Sequence, residues 1–131
     1  MDNKEFYIMF ENLVDEERKI MCDKGKEYTK GSKDKLKNFK EIAERISITP
    51  LQVWATYYLK HQFSLEHFLN GGEISSGESI RSRIIDLRNY LVLGLALIEE
   101  EDKIKKGDFS NIAPGTPTLI NQDISYNPRR C

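Results

Sequence analysis

The chain has 131 residues and a mass of 15.3 kDa, which suits one domain and is too short for two of ordinary size. Hydrophobic residues make up 39% of the sequence and charged residues 31%, a balance that indicates a folded soluble domain and excludes a disordered chain. The net charge of -1 excludes a general polyanion binder, so any affinity for phosphate must come from a local patch.

Several protein classes are excluded by what the sequence lacks. It has no run of about 18 apolar residues and no signal-peptide pattern, so we expect neither membrane spanning nor secretion. The cysteines, Cys22 and Cys131, match no zinc or redox spacing. We interpret both as reduced thiols and predict a cytoplasmic protein. The two histidines are too few for a histidine-rich metal site.

Helical periodicity occurs four times along the chain, whereas strand-like alternation never persists. The first predicted helix runs from about Lys4 to Asp23, with Gly25 as its stop. Ser32 is a suitable N-cap for the second, which extends to about Ile46.

The third and fourth predicted helices have clear boundaries. Thr49, Pro50 and Gln52 form a strong start signal for the third, which continues to about residue 70. The fourth spans about residues 78–105 and is apolar nearly all round, as is typical of a helix in a bundle centre or at a subunit interface. We therefore expect a homodimer or a higher homo-oligomer.

These elements predict an all-α fold, a four-helix bundle with an extended C-terminal tail. The helical domain is predicted over residues 1–106. Residues 107–131 contain three of the four prolines and little periodicity, which indicates the tail.

A lysine-rich segment lies between residues 24 and 40. Its seven lysines outnumber two carboxylates, for a local charge of +5. Gly31 and Ser32 are predicted to open the second helix, whose N-terminus would offer free N–H groups to a phosphate. A solvated lysine-rich surface is the alternative. No recognition-helix pattern accompanies the charge, so we do not expect double-stranded DNA as a partner.

The fourth predicted helix places polar residues on one side of an apolar element. Ser79, Asp86 and Asn89 share that side, with Arg81 and Arg83 beside it. A buried polar group needs a partner, and here the partner could be a ligand, a metal or another helix. The alternative is an internal hydrogen-bond network in which Asp86 pairs with an arginine.

Two other groups of residues are candidates for weaker roles. His61 lies on the apolar side of the third helix, where a histidine is more often a core residue than a catalyst. An exposed member of the nearby aromatic cluster could stack on a base. Glu16 and Asp86 could meet inside the bundle and hold Mg²⁺, which prefers carboxylate oxygens.

The order and spacing of several short motifs resemble a known family. The matching pieces are Lys-Gly-Lys-Glu-Tyr at 24–28, Asn-Phe at 38–39, Val-Trp at 53–54, Lys-His at 60–61, Glu-Ser-Ile at 78–80 and Ile-Asp-Leu-Arg-Asn-Tyr at 85–90. Together they resemble the "nucleotide modification associated domain 1" family, small proteins common in bacteriophages. The resemblance covers about residues 10–100. It implies a helical domain tied to nucleotides, which in a phage would act in the host cytoplasm.

A weaker similarity links the chain to MazG-like all-α nucleoside triphosphate pyrophosphatases, which hold Mg²⁺ between acidic residues of facing helices. The resemblance implies that Asp86 stands at the aspartate position of that metal site. An enzyme of this kind would need Glu78 as a further metal ligand, with Glu16 or Glu17 as an additional candidate. Arg83 stands where the family pattern has a glutamate. The arginine removes a metal ligand and adds a cation suited to phosphate.

Three hypotheses remain open at this point. The first is a protein that binds, and in a phage sequesters, a phosphate-bearing nucleotide such as a host defence signal. Its predicted ligand-binding residues are Lys24, Lys26, Tyr28, Asn38, Trp54, Lys60, His61, Ser79, Arg81, Arg83, Asp86 and Asn89. The second is a Mg²⁺-dependent pyrophosphohydrolase. The third is a phage interaction protein without a small-molecule ligand. No catalytic residue is assigned.

Overall fold

A computed structural model describes residues 1–74 and 77–107. They form four helices, α1 (Asn3–Tyr28), α2 (Lys37–Ile46), α3 (Pro50–Leu69) and α4 (Ile80–Lys105). The predicted all-α bundle is confirmed, and no strand occurs in the described ranges. The predicted tail lies outside the described residues from position 108 onward. Within the described part, no helix combines the length and apolar character needed to cross a membrane.

Helix α1 continues past the predicted stop at Gly25, so that prediction is wrong. The helix starts with a capping box between Asp2 and Glu5 and ends where the Thr29 hydroxyl donates to the Gly25 carbonyl at 2.7 Å. The chain then turns through Lys30 and Gly31, which have φ angles of 53° and 72°. This left-handed pair redirects the backbone away from the helix axis.

Helix α2 begins later than predicted, because Ser32 and Asp34 stabilise a turn instead. The Ser32 hydroxyl accepts a hydrogen bond from the Asp34 N–H at 3.1 Å, and Asp34 Oδ1 accepts from the Leu36 N–H at 2.9 Å. Such local side-chain bonds compete with helix formation. The predicted N-cap at Ser32 is wrong, and the expected helix N-terminus at Gly31 and Ser32 does not form.

The predicted starts of α3 and α4 agree closely with the structure. Gln52 N–H donates to Thr49 Oγ1 at 3.2 Å, and Thr49 N–H donates to Gln52 Oε1 at 2.8 Å, which completes the capping box. Ser79 caps α4 by accepting from the Ser82 N–H at 3.1 Å. Both helices therefore begin where their side chains satisfy the first free N–H groups.

The hydrophobic core lies between α2, α3 and α4, while α1 packs against α4. Its buried members are Leu36, Phe39, Ala43, Val53 and Leu97. Trp54 joins α3 to α4 by donating Nε1–H to the Tyr90 carbonyl at 2.6 Å, and its ring lies against Gly94. This contact fixes the register of α4 against α3.

The expectation of two reduced thiols is wrong for Cys22. This residue is buried in α1 and is disulfide-bonded. Cys131 lies outside the described residues. The cysteines therefore give no support to the predicted reducing compartment, and the cytoplasmic location stays a prediction.

Candidate functional site

A cavity of about 420 Å³ lies between α1, α2 and α4. This volume falls within the usual range for small-molecule pockets. Each helix lines the cavity with residues three or four positions apart, which places them on one face. These residues are Met21, Lys24, Gly25 and Tyr28 of α1, Asn38, Glu41, Ile42 and Arg45 of α2, and Asp86, Asn89, Tyr90 and Leu93 of α4.

Positive charge dominates the rim formed by the connector and α2. Lys30, Lys35 and Arg45 line the cavity. Within residues 1–74 and 77–107, none of the three has a carboxylate within ion-pair distance. Unpaired cations around a concavity attract an anionic ligand, because the low-dielectric walls concentrate their field.

The position of Lys35 depends on a glycine inside α1. Its Nζ donates to the Met21 carbonyl at 3.0 Å, and the end of its side chain occupies the space where a Cβ on Gly25 would lie. Gly25 therefore has a structural reason to stand inside a helix despite its low helix propensity. It lets the Lys35 ammonium approach the backbone of α1 beside the cavity.

Asp86 is the carboxylate of α4 at the cavity, and its side chain is 16% exposed. Lys24 donates from Nζ to Asp86 Oδ1 at 3.0 Å. The other oxygen, Oδ2, lies 3.9 Å from His61 Nδ1, which is longer than a hydrogen bond. One oxygen of the carboxylate is therefore paired and the other is not, among the residues that the structure describes.

Asn89 follows one turn later on α4 and also lines the cavity. Its residue is only 9% exposed, and its Nδ2 is buried without a hydrogen-bond partner in the described part of the chain. An unsatisfied buried donor costs about 1–3 kcal/mol. Such a group in a pocket wall is a common sign of a ligand-binding position.

Aromatic rings form the remaining wall. The Tyr57 and Tyr90 rings are parallel within 4°, with centroids 6.0 Å apart. Tyr28, at 53% exposed, stands at the opening. Burial, with Tyr28, Asp86 and Tyr57 nearby, raises the pKa of the Tyr90 phenol to about 12. Tyr90 is therefore neutral at physiological pH.

His61 lies behind this wall rather than in it. Its ring centroid is 5.3 Å from that of Tyr90, and the residue is buried. Burial lowers the pKa of His61, and the nearby Asp86 carboxylate partly opposes that effect. A neutral imidazole supporting Tyr90 and Asp86 suits a positioning role.

The structure brings five of the twelve predicted ligand-binding residues to this cavity: Lys24, Tyr28, Asn38, Asp86 and Asn89. It does not bring the other seven there. Trp54 packs against α4, Ser79 caps the same helix, and Lys26 and Lys60 are exposed. Trp54 and His61 both contact the cavity residue Tyr90 without lining the cavity themselves.

The arginines of α4 form ion pairs away from the cavity. Arg81 pairs with Glu16 at 2.6 Å, and Arg83 pairs with Glu78 at 2.6 Å. The hydrogen bond from Arg81 is the main cause that lowers the pKa of Glu16. These pairs join α1 to α4 or brace the start of α4, so neither arginine faces the cavity.

The two predicted metal ligands, Glu78 and Asp86, have separate cationic partners. Asp86 lines the cavity and pairs with Lys24, whereas Glu78 does not line it and pairs with Arg83. No group of three His, Cys, Asp or Glu side chains in the described ranges is arranged to hold a metal ion. The residues present therefore do not fit a Mg²⁺ site built on Glu78 and Asp86.

Several cavity residues were missed by sequence reasoning. Lys30 and Lys35 belong to the recognised lysine-rich segment, but nothing in its composition distinguishes them from their neighbours. Arg45 stands seven residues after Asn38 and so shares its helix face, a signal that was available. Tyr57 and Tyr90 look like ordinary core aromatics in the sequence.

Comparison of the chain with family models, with curated proteins and with solved structures finds no match. The resemblance to the phage nucleotide-associated family therefore stays a prediction, and the cavity geometry alone carries the functional argument.

Proposed function

We propose that this chain binds a phosphate-bearing nucleotide in the cavity between α1, α2 and α4, and holds it without hydrolysing it. One observation carries the proposal. A single hollow of about 420 Å³ combines aromatic rings and side-chain amides with cations that have no carboxylate partner in the described part of the chain. Phosphate, base and sugar need these three kinds of partner.

The phosphate would bind to Lys30, Lys35 and Arg45. Charge-assisted hydrogen bonds to phosphate are about twice as strong as neutral ones, and an arginine can bind two oxygens at once. Lys24 is less available, because Asp86 already pairs with it at 3.0 Å. The connector and α2 therefore supply the cations for the phosphate, whereas Lys24 of α1 stabilises the Asp86 carboxylate.

Sequestration is favoured over hydrolysis by the state of the carboxylate. A metal-dependent hydrolase needs carboxylates that hold the ion which activates water. Asp86 instead pairs with Lys24, and the other cavity carboxylate, Glu41, lies 3.5 Å from Lys37 Nζ. In a phage, such a protein would lower the concentration of a host nucleotide signal.

Isothermal titration calorimetry tests the binding proposal. We expect binding to at least one class among nucleoside mono-, di- and triphosphates and cyclic nucleotides. Lys35→Gln and Arg45→Gln should each weaken it about tenfold or more, because each removes a charged hydrogen bond worth about 1.5–3 kcal/mol. Lys19→Gln, on the exposed face of α1, is the matched control. Absence of heat with every class would favour the interaction-protein hypothesis.

Incubation with Mg²⁺ separates sequestration from catalysis. We expect the nucleotide to be recovered intact after long incubation. Pyrophosphate release that requires Mg²⁺ and disappears in Asp86→Asn would support the pyrophosphohydrolase instead.

A homodimer is the second part of the proposal. Ile84, Leu91, Leu95 and Ile98 form the outer face of α4, and all four are exposed. Their spacings of seven, four and three residues match the seam of a coiled coil. A second copy of the chain is the simplest occupant, because a two-fold contact lets the same face pair with itself.

A further inference from the structure

We infer that the base of the bound nucleotide is guanine, recognised by Asn89 and Asp86. The inference rests on the proposed function, since it assigns the base of the same ligand. It starts from two unused polar atoms of α4. Among the described residues, Asn89 Nδ2 is a buried donor without a partner, and Asp86 Oδ2 is an acceptor that lies 3.9 Å from His61 Nδ1, beyond hydrogen-bond distance.

The two groups stand three residues apart on one helix face, so their Cβ atoms are about 5–6 Å apart. Both line the cavity. They offer a ligand one amide donor and, one turn earlier, one carboxylate acceptor. A base that is complementary to these two groups has an edge with a hydrogen-bond acceptor followed by one or more N–H donors.

Guanine presents that pattern on its Watson–Crick edge. Its keto oxygen O6 would accept from Asn89 Nδ2, while its ring N1–H and exocyclic amine would donate to Asp86. In adenine and cytosine the corresponding ring nitrogen carries a lone pair. That lone pair would face the carboxylate, and an unpaired or repulsive polar contact is what rejects the wrong ligand.

Uracil shares the keto oxygen and the ring N–H but lacks the second donor and the second ring. A purine also covers more of the aromatic wall, on which base stacking contributes about 1–3 kcal/mol. Tyr28 is exposed at the opening and available for such a contact. Guanine therefore fits the donor pattern and the rings better than uracil does.

Lys24 and His61 prepare Asp86 for this role. The Lys24 ammonium holds Oδ1 at 3.0 Å, which leaves Oδ2 to accept from the base. The His61 imidazole stands 3.9 Å from Oδ2 and has its pKa lowered, mainly by burial. It is therefore neutral near physiological pH and does not pair with the oxygen as a cation.

The test is a calorimetric series with the 5′-monophosphates of guanosine, inosine, adenosine and uridine. Guanosine monophosphate should bind at least about tenfold more tightly than adenosine monophosphate. Inosine monophosphate, which keeps O6 and N1–H but lacks the exocyclic amine, should lie between them.

Two variants test whether Asn89 and Asp86 cause the preference for guanine. Asn89→Leu keeps the approximate volume and removes the amide, and Asp86→Asn replaces the acceptor that faces the base. Both should reduce the ratio of guanosine to adenosine monophosphate affinity toward one, whereas Asn12→Ala on the exposed face of α1 should leave it unchanged. Thermal melts of each variant show whether it is folded.

The wild-type series decides the question even if a variant does not fold. Equal or tighter binding of adenosine monophosphate would overturn the guanine assignment and leave nucleotide binding standing. Absence of binding by all four monophosphates, together with the di-, tri- and cyclic nucleotides, would overturn both.

Discussion

Two regions of α4 differ from an ordinary surface helix: polar residues lie at the cavity, and apolar residues lie on the opposite, outer face. Asp86 and Asn89 line the cavity, where Asp86 is partly buried and Asn89 is buried. On the outer face, Leu91 and Leu95 are exposed to solvent. Burying a polar group without a partner costs free energy, and exposing a contiguous apolar face favours association. The two proposals rest on this contrast: a bound nucleotide would complete the inner face, and a second copy of the chain would complete the outer one.

The largest effect should come from breaking the packing on one side of α4 only. Leu97 is 2% exposed and Leu95 is 57% exposed, two residues along the same helix. Leu97→Ala should lower the free energy of unfolding by about 2–5 kcal/mol, because it leaves a cavity in the core. Leu95→Ala should change it by less than about 0.5 kcal/mol in dilute monomer. Urea denaturation measures both, and similar losses would contradict the assignment of faces.

Gly94 should be the next most sensitive position. A Cβ there would lie 2.6 Å from Trp54 Cε2, and the ring cannot move freely because its Nε1–H bonds the Tyr90 carbonyl. Gly94→Ala should therefore destabilise the fold by about 1–3 kcal/mol, despite alanine's higher helix propensity. An unchanged denaturation midpoint would show that Trp54 can shift without cost.

Gly25→Ala is the matched change on the cavity side. Here the new Cβ would meet the end of the flexible Lys35 side chain, which can move. We expect stability to be unchanged or raised by up to about 1 kcal/mol, because alanine is the better helix former. Nucleotide affinity should fall severalfold as Lys35 is displaced. Calorimetry and thermal melting on the same sample separate the two effects, and loss of stability with unchanged affinity would contradict the role of Lys35.

The sequence predicts elements whose signals are local and misses contacts that only the fold creates. The starts of α3 and α4 were predictable because Thr49, Gln52 and Ser79 act within one turn. The continuation of α1 through Gly25 was not predictable. The glycine makes room for the side chain of Lys35, a residue in the connector beyond α1. Asp86 and Asn89 stand out as polar residues in an apolar helix, and Arg45 shares a helix face with Asn38. Only the fold shows that this face of α2 borders the cavity.

A smaller effect should follow pH, through His61. Burial lowers the pKa of His61 in the folded state, so below the ordinary histidine pKa the unfolded chain binds more protons than the folded one. Stability should thus decrease as the pH falls from about 7.5 to about 5.5, until the folded-state pKa is passed. His61→Phe should reduce this change in Tm, while exposed His67→Gln should not. An identical pH profile in His61→Phe would show that other groups dominate.

The smallest effect on folding, and the clearest on assembly, should come from the outer face of α4. Leu91→Lys with Leu95→Lys places two charges on exposed positions, where a substitution changes stability little. In a coiled-coil seam the same charges would meet their own copies across the two-fold axis and repel. Sedimentation velocity should show a dimer for the wild-type chain and a monomer for the variant, with unchanged nucleotide affinity because the cavity lies on the other face. A wild-type monomer at all concentrations would remove the homodimer and leave the apolar face without a partner.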